Sequence, residues 1–291
     1  AGSATWAGMR TNTSRTLSRF SDRAHDGGVP VFPTREDMLA YLYGYATLFD
    51  LHRHVRLGTR VERIAQEGDG WRIDWRSRDD AGRDNFSGVV IATGAEGTPI
   101  IPRIPGIGRF TGALGAQHSA QYAGVERFRG HHVLIVGGSI SALEIASDLA
   151  LGGAASVTVS TRRQRYVLPK LIAGVPADHV LFTRMAALSE TAMPPEALAA
   201  MMKEQVVRAG GDPAPYGAPA PDPDLFVAGI TQSQHFLPCV AEGRIAVRPA
   251  VSHIDGRAVQ FADGSRAEPD AIIFATGYAQ SLGYFADREA E

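Results

Sequence analysis

Apolar positions along the chain recur at two spacings, and the switching between them outlines an α/β protein. After Phe32-Pro33, Thr34 stands three residues before Asp37 in the manner of a capping box. Met38, Leu42, Tyr45 and Phe49 then follow at helical intervals, which predicts a helix over residues 35–49. Arg60 to Ile64, Trp71 to Trp75 and Phe86 to Gly94 read as three short strands joined by Gly-Asp-Gly and Asp-Ala-Gly turns, a β-meander. A comparable arrangement returns at Arg244 to Val247, Ala258 to Phe261 and Ala271 to Tyr278, with a turn at Asp263-Gly264. Both units finish in Ala-Thr-Gly. Three shared residues are a coincidence unless two related domains lie in the chain.

What lies between the two units supports that second reading. His132 to Val136 is a short run apolar on both faces, the pattern of a buried parallel strand, and it opens directly onto Gly137 to Ala142. A helix is expected from about Ser141 to Leu151, with Leu143, Ala146 and Ala150 on one side, and Ala155 to Ser160 is a second buried strand. Strand, glycine turn, helix and strand together make a unit of about 30 residues, the size of a dinucleotide-binding half. Residues 177–209 read as mostly helical. They end in a helix that begins at Pro194-Pro195, runs over Glu196 to Arg208 and stops at Gly210-Gly211. Five prolines from Pro213 to Pro223 mark either an ordered surface crossing or a loose loop.

Composition narrows the chemistry. The 291 residues are 44% hydrophobic and carry a net charge of -2, which gives no cationic surface for nucleic acid or an anionic bilayer. The lone cysteine, Cys239, excludes an internal disulfide, a CxxC redox pair and thiolate zinc sites, and suits a reducing, cytoplasmic location. No apolar run approaches the roughly 18 residues of a spanning helix, and Ala1-Gly2-Ser3 has no features of a leader. Only Lys170 and Lys203 are lysines, so arginine is the default cation and its clusters mean less than usual.

The glycine turn is a degraded G-x-G-x-x-G, with Ser139 at the second glycine and Ala142 at the third. The first glycine permits the tight turn, the second lets backbone approach a pyrophosphate, and the third allows close helix–sheet packing; Ser and Ala are the smallest replacements for the last two. An ordinary strand-to-helix turn is the competing explanation. Where NAD binders place an acidic residue at the end of the second strand, this chain has Ser160-Thr161-Arg162-Arg163. Hydroxyls and guanidinium groups suit a ribose 2′-phosphate, so NADP is expected over NAD.

At this point a family resemblance can be read. Met9 to Arg15 (M-R-T-N-T-S-R), Phe20 to Asp22, Phe32 to Leu42, Val89 to Gly94, Ile104 to Gly112, His118 to Tyr122 and Phe274 to Tyr278 resemble the flavin-containing monooxygenases in order and spacing, over nearly the whole chain. The fingerprint F-x-G-x-x-x-H-x-x-x-Y is met by Phe110, Gly112, His118 and Tyr122, with two extra residues before His118. Tyr122, in place of the Trp of the related Baeyer-Villiger enzymes, tilts the resemblance toward heteroatom oxygenation.

The resemblance implies two Rossmann-like dinucleotide-binding domains, each with a β-meander, the NADP domain inserted in an FAD domain. It divides the chain into 1–102 (partial FAD domain), 103–278 (NADP domain) and 279–291 (return to the FAD domain). It further implies NADPH- and O2-dependent oxygenation of a nitrogen or sulfur atom in a small molecule through a C4a-hydroperoxyflavin. Baeyer-Villiger oxygenation and a flavin-free NADP-binding module are the alternatives. Asn12 takes the family's catalytic asparagine position. Gly137, Gly138, Ser139, Ser141 and Ala142 are expected to cradle the NADP phosphates and Ser160, Arg162 and Arg163 to select the 2′-phosphate. Thr11, Asn12, Val61, Ala92, Thr93, Gly94, Thr276 and Gly277 are expected about the cofactors. Trp6 is a candidate flavin cover, and His118 is expected to be structural. His131-His132 lacks nearby ligands at metal spacing, so no metal is expected. The family's first strand, G-x-G-x-x-G turn and helix for FAD find no match, since Gly2, Gly8, Gly27 and Gly28 follow no buried strand. An internal fragment with an uncovered sheet edge is therefore the expectation, with a homodimer left open as its assembly.

Overall fold

A computed structural model of the chain describes residues 5–280 and 282–285. Its contacts divide into two units, one formed by residues 1–41 and 101–276, the other by residues 42–100 and 277–291. The division falls within helix α1 (Arg35–Leu48). The expected capping box forms there: the Thr34 amide and hydroxyl both donate to Asp37 Oδ2, and the Asp37 amide donates back to Thr34 Oγ1.

In the smaller unit, β1 (Arg60–Glu67), β2 (Gly70–Arg76) and β3 (Ala81–Phe86) form an antiparallel meander. Its third strand lies earlier than the apolar run predicts. The turn closes at residues 77–80, where the Ser77 amide donates to the Asp80 carbonyl, and this sets Arg76 opposite Ala81. The run Val89–Val90–Ile91 is irregular and Val90 is 91% exposed, because a segment apolar on both faces becomes a strand only where neighbours flank it. β4 (Thr98–Pro99) follows.

The larger unit is built on a parallel sheet. Its strands are β5 (Gly115–His118), β6 (His132–Val136) and, after helix α2 (Ile140–Leu151), β7 (Ser156–Ser160). β8 (Tyr166–Leu168), β9 (Leu171–Ile172) and β10 (Val175–Pro176) lead into α3 (Ala177–Leu181), α4 (Arg184–Ala192) and α5 (Pro195–Arg208). A short α6 (Leu225–Ala228) precedes β11 (Ile230–Gln232), which pairs in parallel with β8, and α7 (Phe236–Ala241). β12 (Ile245–Arg248) comes next, then an antiparallel meander of β13 (Val251–Asp255), β14 (Ala258–Phe261) and β15 (Arg266–Ala267), and then β16 (Ala271–Phe274). The parallel sheet has the order β12-β7-β6-β16-β5. In the smaller unit β17 (Tyr278–Ala279) pairs with β4, and most of the expected return segment 279–291 lies outside the described residues.

The second meander is therefore not the one read from the sequence. Its expected outer members, β12 and β16, are parallel strands of the sheet, and the meander is a separate layer placed between them in the chain. Period-two alternation explains the layering. Val133, Ile135, Ala271 and Ile273 join the core under α2 and α7, whereas Leu134, Ile272 and Phe274 face Ile254, Val259 and Phe261 of the meander. On α2, Leu143, Ile145, Ala146 and Leu149 are at most 2% exposed. Each buried Leu or Ile contributes about 1.5–3 kcal/mol, which fixes the helix over the sheet.

Asp270 ties the bottoms of two strands. Its Oδ2 accepts the His132 amide at 2.9 Å, and its Oδ1 accepts from Arg257 at 2.9 Å. The His132 amide is the largest influence and, against some opposing burial, holds the carboxyl below its ordinary range, with His131 and Arg257 adding to it. A pKa depressed by folding confers stability above the unfolded value that is lost as pH falls through the folded one. Asp270→Asn is accordingly expected to lower the thermal midpoint at pH 7, and the gap from wild type should close below about pH 4. Melts followed by circular dichroism at pH 7, 5 and 3 check this; a gap that is constant across the series would contradict it.

Candidate nucleotide-binding site

The end of β6 delivers the glycine turn between two strand ends. Gly137 has φ +146°, and its amide donates to the Ser160 carbonyl at 2.9 Å. A Cβ on Gly137 would stand 2.3 Å from the Ala275 carbonyl oxygen, and one on Gly138 would stand 2.4 Å from Thr161 Oγ1. Only glycine fits at Gly137, where the clash is with backbone, and a side chain at Gly138 would have to displace that of Thr161. Ala142 is fully buried and a Gly137 Cβ would lie 3.3 Å from its methyl, so the third position of the motif has room for one carbon at most. Ser139 is the extended N-cap of α2, exposed, and its side chain accepts no capping bond; the first turn of the helix holds no acidic residue. The amides and positive end of α2 thus stay available to an anion. Ser141 lies half-buried in that first turn.

The end of β7 runs beside the turn. Arg162 and Arg163 are exposed, and neither makes an ion pair among the described residues. Thr161 Oγ1 donates to the Arg163 carbonyl at 2.8 Å and shapes this corner. Ser160 is placed differently from the two arginines: it is buried, and its hydroxyl donates to the Pro249 carbonyl at 2.8 Å.

The Thr11–Asn12 loop belongs to the same unit. The Thr11 amide donates to the Pro33 carbonyl and its hydroxyl to the Thr13 carbonyl. Asn12 Oδ1 is buried without a hydrogen-bond partner, so one end of an amide whose two ends interchange by rotation is unspent. Two contacts that sequence reasoning missed hold this loop. The buried Ser14 donates its amide to Asp178 Oδ2 at 2.6 Å and its Oγ lies 3.0 Å from His179 Nε2. Lys170, 6% exposed, pairs with Glu144 Oε2 of α2 at 2.8 Å and donates to the Thr11 carbonyl at 3.5 Å. Helix α2 and the asparagine loop therefore share one cation. The available signal was that a lysine is rare in a chain whose cation is nearly always arginine.

The remaining expected cofactor residues are divided between the units. Thr276 closes the larger one. Val61, Ala92, Thr93, Gly94 and Gly277 lie in the smaller, all exposed, with Gly94 at φ +75° and Gly277 at φ +85°, and Thr93 Oγ1 stands 3.3 Å from the Tyr284 hydroxyl. Trp6 is a core residue of the larger unit, 8% exposed and edge-on to Tyr122 at 5.6 Å, which corrects its reading as a flavin cover. Tyr122 is itself buried, and its hydroxyl donates to Asp148 Oδ2 at 2.7 Å. Burial foremost pushes up both the phenol and the carboxyl of this pair. His118, 2% exposed, accepts the Ala120 amide in a capping box with Gln121, a structural role. His132 Nδ1 bonds Ser156 Oγ, and no cluster with metal-ligand composition occurs among the described residues.

A parallel sheet whose central strand leads through a glycine turn into a buried helix, with two arginines uncommitted to ion pairs one strand away, is a Rossmann-type arrangement. Comparison with known proteins then gives the family. The model of the flavin-binding monooxygenase-like family matches residues 3–290, and the chain belongs to that family of oxidoreductases. It is 31% identical over 287 residues to dimethylaniline monooxygenase (N-oxide-forming) 2 of Mus musculus, an alignment covering 95% of this chain and 52% of that protein. The chain thus spans about half the length of the curated relatives it matches. Among solved structures, a flavin-containing monooxygenase from Stenotrophomonas maltophilia superposes with a TM-score of 0.70 at 23% identity, covering 98% of this chain and 70% of the other. Cyclohexanone monooxygenase from Rhodococcus, solved with NADP+ bound, gives 0.64 at 18% identity over 94% and 62% of the two chains. At those identities the structures speak to the fold, which they share.

Proposed function

We propose that this chain carries the nucleotide-binding part of an NADPH- and O2-dependent flavin monooxygenase that oxygenates a nitrogen or sulfur atom of a small molecule. The observation that carries the reading is the turn Gly137–Gly138, where a Cβ would meet the Ala275 carbonyl or Thr161, followed by helix amides that have no side-chain partner. These residues fit a dinucleotide. Gly137, Gly138, Ser139, Ser141 and Ala142 would hold its pyrophosphate, and Arg162 and Arg163 its 2′-phosphate, while Ser160 supports the corner through Pro249. Bound NADPH would supply the hydride and bound FAD the oxygen activation.

The chain's own contribution is to bind and orient. Asn12 would use its buried, unspent amide end toward the reacting groups, and Lys170 would keep its loop in register with α2 through Glu144 and the Thr11 carbonyl. For FAD the fit is poorer. Among the described residues Gly137–Ala142 is the one strand–glycine–helix turn, and Gly8, Gly27 and Gly28 follow no strand and stand in open space. A second reading, a flavin-free NADP-binding module, rests on the Gly137–Ala142 turn alone.

One experiment separates the two. The product of the whole reading frame is supplied with FAD, NADPH, 18O2 and a thioether or tertiary amine. The oxygenase reading expects a perturbed flavin spectrum, NADPH consumption and the label in the sulfoxide or N-oxide. NADP binding with an unperturbed flavin spectrum and no labelled product would overturn it and leave the binding module.

A further inference from the structure

Away from the turn, the larger unit contains a second concavity. The paired strands β8 and β11 form its floor, and α3, α4 and α5 rise around it to enclose a cavity of about 440 Å3. Leu168, Phe182, Met185, Met202, Val206 and Ile230 are among its walls, and none of the described residues that line it is Asp, Glu, Lys, Arg or His. Ile140 is the one residue of the α2 start that reaches it, so the cavity adjoins the nucleotide turn without including Gly137 to Ser139.

The floor is not apolar. Thr231 and Gln232 are 3% and 8% exposed, both line the cavity, and Thr231 Oγ1 and Gln232 Nε2 are buried with no hydrogen-bond partner. Buried donors in native proteins are normally satisfied, so an unpartnered pair among the residues that floor an apolar cavity of ligand size points to an acceptor brought by water or a ligand. Charge limits what that occupant is. With no carboxylate or cation among the described residues of the walls, an ionised group entering the cavity would lose its hydration without compensation from them. Met185 and Met202 give walls that adapt to different apolar shapes, and Phe182 and Met185, 54% and 70% exposed, leave one side open for entry.

We propose that this cavity binds an uncharged, mainly apolar small molecule bearing one carbonyl-type acceptor, which takes hydrogen bonds from Gln232 Nε2 and Thr231 Oγ1. The site is independent of the oxygenase reading, because it uses none of the residues assigned to the nucleotide.

Prodan, a neutral naphthalene ketone whose emission shifts blue in apolar surroundings, is a suitable probe. Titrated into the full chain, it is expected to bind saturably at one site. Gln232→Leu keeps the cavity but removes the donor, and should weaken Prodan about tenfold while leaving the analogue with a propyl group in place of the propionyl unchanged. Ala186→Trp, on the α4 wall, should fill the space and abolish binding of both. Ser189→Trp on the same wall serves if Ala186→Trp misfolds, and circular dichroism of each variant reports the fold. Unsaturable binding, binding that survives both tryptophan substitutions, or equal affinity of Gln232→Leu and wild type for Prodan would each overturn the proposal.

Discussion

Gly137→Ala is expected to lose nucleotide binding and to destabilise the larger unit together. The alanine would have to hold φ near +146° with its methyl 2.3 Å from the Ala275 carbonyl oxygen, an overlap that only movement of backbone can relieve. Strained backbone of this kind costs about 3 kcal/mol. At about 2–4 °C per kcal/mol for a unit of this size, the thermal midpoint should fall by about 6–12 °C. Any relief that parts β6 from the end of β16 also moves the amides at the start of α2, so NADP+ affinity should disappear below the melting transition as well. Gly108→Ala is the control: Gly108 has open space around it and an unexceptional φ, and its replacement should change neither property. Calorimetry and NADP+ titration on both variants make the comparison. A stable Gly137→Ala that binds NADP+ like wild type would show that the turn is an ordinary connection.

Replacing Arg162 and Arg163 together with Ala should discriminate between two nearly identical ligands. Both guanidinium groups are exposed, neither is committed to an ion pair among the described residues, and both follow the strand that packs against the glycine turn. Hydrogen bonds to charged groups contribute about 1.5–3 kcal/mol each, so losing two should weaken NADPH about a hundredfold or more. NADH lacks the phosphate and should lose less than about threefold, since only general attraction is removed. The NADPH loss should also shrink as salt is raised, because exposed charges are screened. Equal losses for both nucleotides would remove the arginines from the selectivity argument and leave the turn's occupant undetermined between NADP and NAD.

The parts of the fold that were legible in the sequence are those where local chemistry and tertiary setting agree. Thr34 and Asp37 cap α1 whatever surrounds them. His132 to Val136 is apolar on both faces because both faces of β6 are covered, and Gly137 follows because the turn needs its φ. Misreadings arose where a short apolar run could serve two architectures. Ile245 to Val247 and Ala271 to Phe274 look like meander strands by pattern, yet both pair in parallel within the sheet, the first at its edge and the second buried on both faces. Val89 to Ile91 has strand composition but no flanking strand among the described residues.

Site legibility followed the same division. The turn and the arginine pair were readable because backbone geometry and charge are written in single residues. The Lys170–Glu144 pair, the hold of Asp178 and His179 on Ser14, and the cavity floor at Thr231 and Gln232 depend on elements far apart in the chain meeting in space. Nothing in their local sequence marks them, and Ser160 shows the converse: a hydroxyl at the expected position, spent on the Pro249 carbonyl.

The most direct test of the account is a crystal of the chain soaked with NADP+. The account predicts the pyrophosphate against the amides at the start of α2, over Gly137 to Ser139, and the 2′-phosphate between the Arg162 and Arg163 guanidinium groups. A nucleotide bound elsewhere, or one whose 2′-phosphate faces solvent with both arginines turned away, would contradict it.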